Sequence, residues 1–445
     1  MKLGIMVAVA AAAIMTVSLF LLPEVSADTA EILSGGVEGA LDHTDMAWVM
    51  VATVLVFMMA PALALFYGGM LRKQSMTSTI AQCIMGVALV LVIWAAVGYS
   101  LAFSGDIGGF VGDLGFALMY NVPYGTSTLG LTIPDMEFLL FQGMFAGVTA
   151  CIVVGASAER ARFSAIMLFL AIWSVLVYAP MAHMVWGGGI LSTAGGYITS
   201  LDYAGGTVVH ICAGVTGVAI ALVLGKRSGR TIKDRPHSIP WMYLGAILLW
   251  LGWIGFNGGS GLAVNETLVL VVATTVISST VAMLSWGAVQ IMHAGRVSVS
   301  GMCAGFLSGL VAITPACAFV SPASAALIGA VAAPVCYFGV IFMRKRSGVD
   351  DALDVFGIHG IGGIWGAIAT GIFASSALTA TPGLIEGGTD LFAGQLVAVG
   401  LTLAYCFAVS FVIMKAISLV MRVRYTEDEE LIGGDIAEHG ESAYN

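Results

Sequence analysis

Two histidines stand in stretches of chain that hold almost no other ionisable group. His210 lies in LDYAGGTVVHICAGVTG and His359 in DVFGIHGIGGIWG, and both read H-x3-G-x2-G. Each follows an acidic residue at the start of its segment, Asp202 or Asp354. An imidazole can accept a proton or bond a neutral polar molecule without carrying permanent charge. A carboxylate at a helix start can accept free backbone N–H groups and complement the positive helix end. The other histidines carry no such pattern: His43, His237, His293 and His439 fall in loops or tails, and His183 near a helix end.

The elements that must position these groups are apolar. The chain has 445 residues, of which 59% are hydrophobic and 10% charged, with a mean hydropathy of +0.98. Apolar segments fall at 46–71, 79–104, 136–158, 162–185, 203–224, 238–260, 267–290, 297–314, 321–343, 355–376 and 391–421. Runs of roughly 20 residues cross a ~30 Å hydrocarbon core. The fold class read from this pattern is an all-α integral membrane protein with about eleven transmembrane helices. A soluble multidomain protein would carry far more charge, and a β-barrel would show short alternating segments.

Lysine and arginine set the expected orientation. Arg72 and Lys73 follow the first segment, Arg160 and Arg162 the third, and Lys226, Arg227, Arg230, Lys233 and Arg235 the fifth. Arg296 follows the seventh, Arg344, Lys345 and Arg346 the ninth, and Lys415, Arg422 and Arg424 close the eleventh. All but Lys2 of the 17 basic residues therefore sit on alternate connections. The positive-inside rule then places the amino terminus outside and the carboxyl terminus in the cytoplasm. With that topology the fifth and tenth segments run in opposite directions, as in an inverted repeat of five plus five helices and a final helix, with its site near the midplane. At 1.5 Å per residue, His210 sits about 12 Å inside Asp202. A lone membrane histidine is often a packing hydrogen-bond group, but a matched pair in antiparallel repeats points to the lining of a pore. Metal binding is weakened by the lack of a third ligand at suitable spacing.

The first 27 residues, with Lys2, a long apolar run and small residues before Ala27, read as a cleavable signal peptide; an uncleaved helix is the alternative. Residues 28–45 then form an extracytoplasmic amino terminus, 46–421 the transmembrane domain and 422–445 a cytoplasmic tail. The seven cysteines lie in or beside apolar segments without CxxC spacing, and read as packing residues. The net charge of -9 comes largely from loops and the tail and implies no nucleic-acid partner.

LDYAGGTVVH, FNGGS and DVFGIHGIGGIWG closely resemble signatures of the ammonium transporter (Amt/Mep/Rh) family, specifically its Amt branch. ALFYGGMLRK, AHMVWGGG and EHGESAY resemble further family segments, so that the resemblance runs from about Met46 to the tail. It implies ammonium or ammonia as substrate, a homotrimer with one pore per subunit in the cytoplasmic membrane, and no cofactor or catalysis. It also implies roles at matching positions. Trp186, Phe145 and Ser260 correspond to an external cation-recruitment site, and Phe145 with Phe256 to a stacked gate. His210, His359 and Trp253 correspond to pore-lining residues, and Asp202 to a structural aspartate near the entrance.

The chemistry of these side chains suits that substrate. Aromatic faces replace part of a cation's water shell, each worth roughly 0.5–2 kcal/mol, and a serine oxygen accepts ammonium protons. On spacing alone, Phe141 and Phe145 are a packing pair and Trp186 an interfacial aromatic. Against the pattern the resemblance implies, the connection from Trp186 to Asp202 is longer by a few residues, and IGGD at 432–435 stands where Gly-Leu-Asp is expected. Two alternatives remain: an ammonium sensor with little flux, which usually appends a signalling domain where this sequence has residues 422–445, and an Rh-like gas channel. EHGESAY and the resemblance also point to a PII-type signalling protein as a partner at the cytoplasmic face.

Overall fold

Backbone N–H and C=O groups inside hydrocarbon must be satisfied within the chain, which leaves helices as the natural solution for long apolar runs. The computed structural model describes residues 41–193, 196–228 and 236–444. The expected signal peptide and residues Arg230, Lys233 and Arg235 lie outside the described residues. Among the described residues, ten helices are long and apolar enough to span a membrane. They are α1 (His43–Met70), α2 (Lys73–Phe103), α3 (Asp135–Ser157), α4 (Phe163–Trp186), α5 (Gly206–Leu224), α6 (Ile239–Gly259), α7 (Glu266–Ala294), α9 (Pro322–Lys345), α10 (Phe356–Phe373) and α11 (Thr389–Val420). Between α7 and α9 lies the shorter α8 (Val299–Ile313), which matches the eighth expected segment but stops in a run of turns around Pro315. A short acidic helix, α12 (Glu427–Ile432), follows in the tail, started by a capping box between Thr426 and Glu429. His43 and His293, expected in loops, instead open α1 and lie in the last turn of α7.

The shared H-x3-G pattern has a reciprocal packing reason. A Cβ at Gly214 would stand 2.4 Å from the backbone nitrogen of Gly360, beside His359. A Cβ at Gly363 would stand 2.9 Å from the carbonyl oxygen of Gly206 and 3.1 Å from Cβ of His210. Each helix thus uses the glycine four residues after its own histidine to admit the histidine-bearing turn of the other. The first turns of both helices, Gly206–Ile211 and Phe356–Gly360, are π-helical. Such single wide turns recur at functional sites, and no periodicity in the sequence announced them.

The connections that carry the basic residues meet on one face. Glu159, between α3 and α4, accepts from Arg72 at 3.2 Å and from Arg227 at 2.7 Å. Arg227 also pairs with Asp350 at 2.6 Å. Arg160, wholly buried, donates to the carbonyl of Asp350 at 2.5 Å, and burial lowers its pKa to about 10. The tail lies across the same face. Arg162 Nη2 is 2.6 and 2.7 Å from the two carboxylate oxygens of Glu429. Glu430 accepts from Arg424 at 2.5 Å and from the Ser228 N–H at 2.7 Å, and Asp435 accepts from the Ser78 N–H at 2.8 Å.

Candidate functional site

Aromatic side chains from five helices form a continuous column. Trp186, at the end of α4, meets Phe145 of α3 edge-on, with centroids 6.1 Å apart at 89°. Phe145 lies against Phe256 of α6 at 4.2 Å and 31°, and both rings are buried. Phe256 is stacked on His210 at 6.0 Å and 18°, and Trp253 lies one turn before it, 5.4 Å from the same imidazole. His210 and His359 approach through their Nδ1 atoms at 3.3 Å. Only one proton fits between those two nitrogens, so one ring donates and the other accepts. His210 Nε2 is buried without a hydrogen-bond partner, pointing to a ligand-facing edge rather than a packed one.

A cavity of about 20 Å³ lies between the histidines, Trp253, Phe256 and the aliphatic side chains of Leu63, Val148, Leu249 and Leu307. It has room for about one water-sized molecule. Bringing an intact cation into such a lining costs far more than bringing in a neutral polar molecule, which the imidazole nitrogens can hydrogen-bond. On the far side of His359 a wider cavity of about 260 Å³ opens toward the basic face, past Tyr337, Gln290 and the Arg344–Asp354 ion pair. The column therefore runs from Trp186 at one end to this wider vestibule at the other.

Each expected site residue can be placed. Trp186 donates its indole N–H to the carbonyl of Asp202 at 2.8 Å, so the long connection between them closes back on itself. Ser260, at the end of α6, donates to the carbonyl of Phe256 at 2.8 Å and keeps its lone pairs free to accept. Trp253 is held by Thr314, its N–H 2.9 Å from that hydroxyl, a partner the motifs did not disclose. Phe141 is buried edge-on to Phe145 and against Gly259, as a packing residue would be. Asp202 accepts from the N–H groups of Gly205 at 2.8 Å, Gly206 at 2.6 Å and Thr207 at 2.7 Å, and from the Thr207 hydroxyl. This half-buried carboxylate caps the π-turn that carries His210.

Asp354 stands at the start of the His359 segment but does not cap it. Asp354 has a left-handed backbone, φ 57°, which turns its carboxylate away from the helix and onto Arg344. The cap is Asp351, which accepts from the N–H groups of Val355 at 3.0 Å and Phe356 at 2.7 Å. Asp351 stands as far before His359 as Asp202 stands before His210, so matching the offset would have found it. Burial, and then the charge of Asp354, raise the Asp351 carboxyl to about 6. Asp350, next to it, is pulled the other way: burial opposes, but the hydrogen bond and charge of Arg227 prevail and lower it.

Fold and site together define a polytopic helical membrane protein in which two crossing helices bring a pair of imidazoles into a narrow apolar cavity. The Ammonium Transporter Family model matches residues 47–444, and the chain belongs to that family. It is 41% identical over 402 residues to the ammonium transporter of Bacillus subtilis (strain 168), covering 90% of this chain and 98% of that protein. Among solved structures it resembles Saccharomyces cerevisiae Mep2, with a TM-score of 0.81 and 34% identity over 88% of this chain and 89% of that one. A structure titled "Sensor Amt Protein" matches with a TM-score of 0.81 and 27% identity, covering 89% and 98%.

Proposed function

We propose that the protein carries ammonium or ammonia across the cytoplasmic membrane through one pore per subunit of a homotrimer. The observation that carries this reading is the column from Trp186 to His359, which joins aromatic faces to a cavity suited to one small neutral molecule. Trp186, Phe145 and Ser260 recruit the cation at the outer mouth. Phe145 and Phe256 form the gate at which water is shed. His210, His359 and Trp253 line the path beyond it, the paired imidazoles bonding ammonia or relaying a proton. In this reading residues 46–421 are the transmembrane domain and the basic face is cytoplasmic, as the alternation of charge supports.

The test is a current recording on proteoliposomes pulsed with ammonium, with internal pH followed and potassium as competitor. A sensor with little flux would give no turnover current, and a gas channel would change internal pH without current. Trp186→Leu removes one aromatic face, worth roughly 0.5–2 kcal/mol, so half-saturating ammonium should rise about two- to thirtyfold. Unchanged concentration dependence and selectivity in that variant would count against the external site.

The tail, residues 422–445, is proposed to help dock a PII-type signalling protein on the cytoplasmic face. Glu429, Glu430 and Asp435 are already bonded to the body, whereas Glu427 and Asp428 remain exposed for a partner. Truncation before Thr426 should lower co-purification with such a protein. Equal capture by intact and truncated chains would remove the tail from that role.

A further inference from the structure

His183 is the one buried histidine outside the central cavity among the described residues, and the column makes no use of it. It lies one turn before Trp186 on α4, fully buried. Its Nδ1 is 3.0 Å from the carbonyl oxygen of Ala102 at the end of α2, and its Nε2 is 2.9 Å from Oδ1 of Asp106 in the following loop. Both partners are acceptors, and the ring makes both bonds in full only when each nitrogen carries a proton. The same Asp106 oxygen accepts from the Gly109 N–H at 2.8 Å, which shapes the loop so that the Gly109 carbonyl accepts from the Ile190 N–H at 2.9 Å. The hydrogen bond from His183 holds the Asp106 carboxyl below its ordinary range.

The turn after Trp186 is thus gripped from both ends. The carbonyl of His183 accepts from the N–H groups of Gly187 at 2.9 Å and Gly189 at 3.0 Å, while the loop holds Ile190. A Cβ at Gly187 would lie 1.9 Å from the Ala102 carbonyl oxygen, so no side chain fits there. Trp186 itself has its indole N–H fixed on Asp202. An aromatic face recognises a cation only when it is held at the right angle and distance, so rigid support of the indole is a requirement of the site.

We propose that His183 and Asp106 form a clamp between the α2–α3 loop and α4 that positions Trp186 for cation recruitment. The proposal deepens the external-site reading and rests on it. Both are positioning residues, acting through the tryptophan rather than on the ion.

Asp106→Ala is the main test, because the side chain of Asp106 is half exposed and its loss leaves the helical core intact. The purified full chain, labelled with fluorotryptophan, is followed by 19F NMR, with the Trp186 signal assigned by its loss in Trp186→Leu. In Asp106→Ala the Trp186 signal should shift or broaden, and half-saturating ammonium should rise about three- to tenfold with maximal current within about twofold of the parent. Asp106→Asn, which keeps an acceptor oxygen, should restore both readouts. In a Trp186→Leu background, Asp106→Ala should add nothing. An unmoved Trp186 signal, or a full additional effect in the Trp186→Leu background, would overturn the clamp. A moved signal with unchanged concentration dependence would instead overturn the recruitment role of Trp186 on which the proposal stands.

Discussion

Replacing both His210 and His359 with alanine is expected to leave a folded protein and to lower ammonium-driven current by about a hundredfold, at about 1.4 kcal/mol for each lost hydrogen-bonding partner. Among the described residues lining the central cavity, the two rings carry the polar side-chain atoms apart from the Trp253 indole N–H, which Thr314 already takes. The other named walls are Phe256 and aliphatic side chains. A small polar molecule crossing it therefore has no substitute partner. Folding should survive because the crossing of α5 and α10 is set by Gly214 against Gly360 and Gly363 against Gly206, contacts that alanine at the histidine positions does not touch. Single variants should lose less, since the remaining ring still offers a donor or an acceptor. Currents on proteoliposomes, with size-exclusion profiles to confirm folding, decide the matter. Full and selective current in the folded double variant would end the paired-imidazole mechanism.

The membrane-spanning helices were legible because hydrocarbon imposes length and apolarity on every span, and each expected segment finds its helix. The histidine pair was legible because an ionisable group at that depth needs a reason and here the reason is repeated. The π-turns under both histidines were not, since a single wide turn leaves hydrophobic periodicity almost unchanged. Asp354 stands at the start of its segment as its sequence position suggests, but its left-handed backbone, which sequence pattern does not reveal, leaves the capping to Asp351. The tail showed as acidic, but its fit onto Arg162, Arg424 and Ser78 depends on loops brought together only by the fold. Phe145 and Trp186 read as packing and interfacial residues until the resemblance assigned them roles. The geometry places both on the same column as the histidines.

The two capping aspartates should respond differently to substitution. Asp202 satisfies three backbone N–H groups of the His210 turn. Its replacement by alanine leaves those donors unpaired at about 1–3 kcal/mol each, less what water recovers at this half-buried site. Folded yield and current should both fall, whereas Asp202→Asn keeps one acceptor oxygen and should retain more of the fold. Asp351 is buried, and its carboxyl is raised to about 6 by burial first and Asp354 second. Because that folded value lies above the unfolded one near 3.8, the folded state binds the proton more tightly. Its contribution to stability therefore falls as pH rises from about 4 to about 6 and stays low above that, by at most roughly 3 kcal/mol. Asp351→Asn removes this titration together with one acceptor, so the variant should start below the parent in acid and gain on it as pH rises. Asp350 carries a lowered carboxyl and slopes the opposite way below the same window, but it is present in both proteins and cancels in the comparison. Thermal unfolding in detergent from pH 4 to pH 7 reads the difference directly, and a gap between the two proteins that does not change with pH would rule out a raised carboxyl at the cap of the His359 turn.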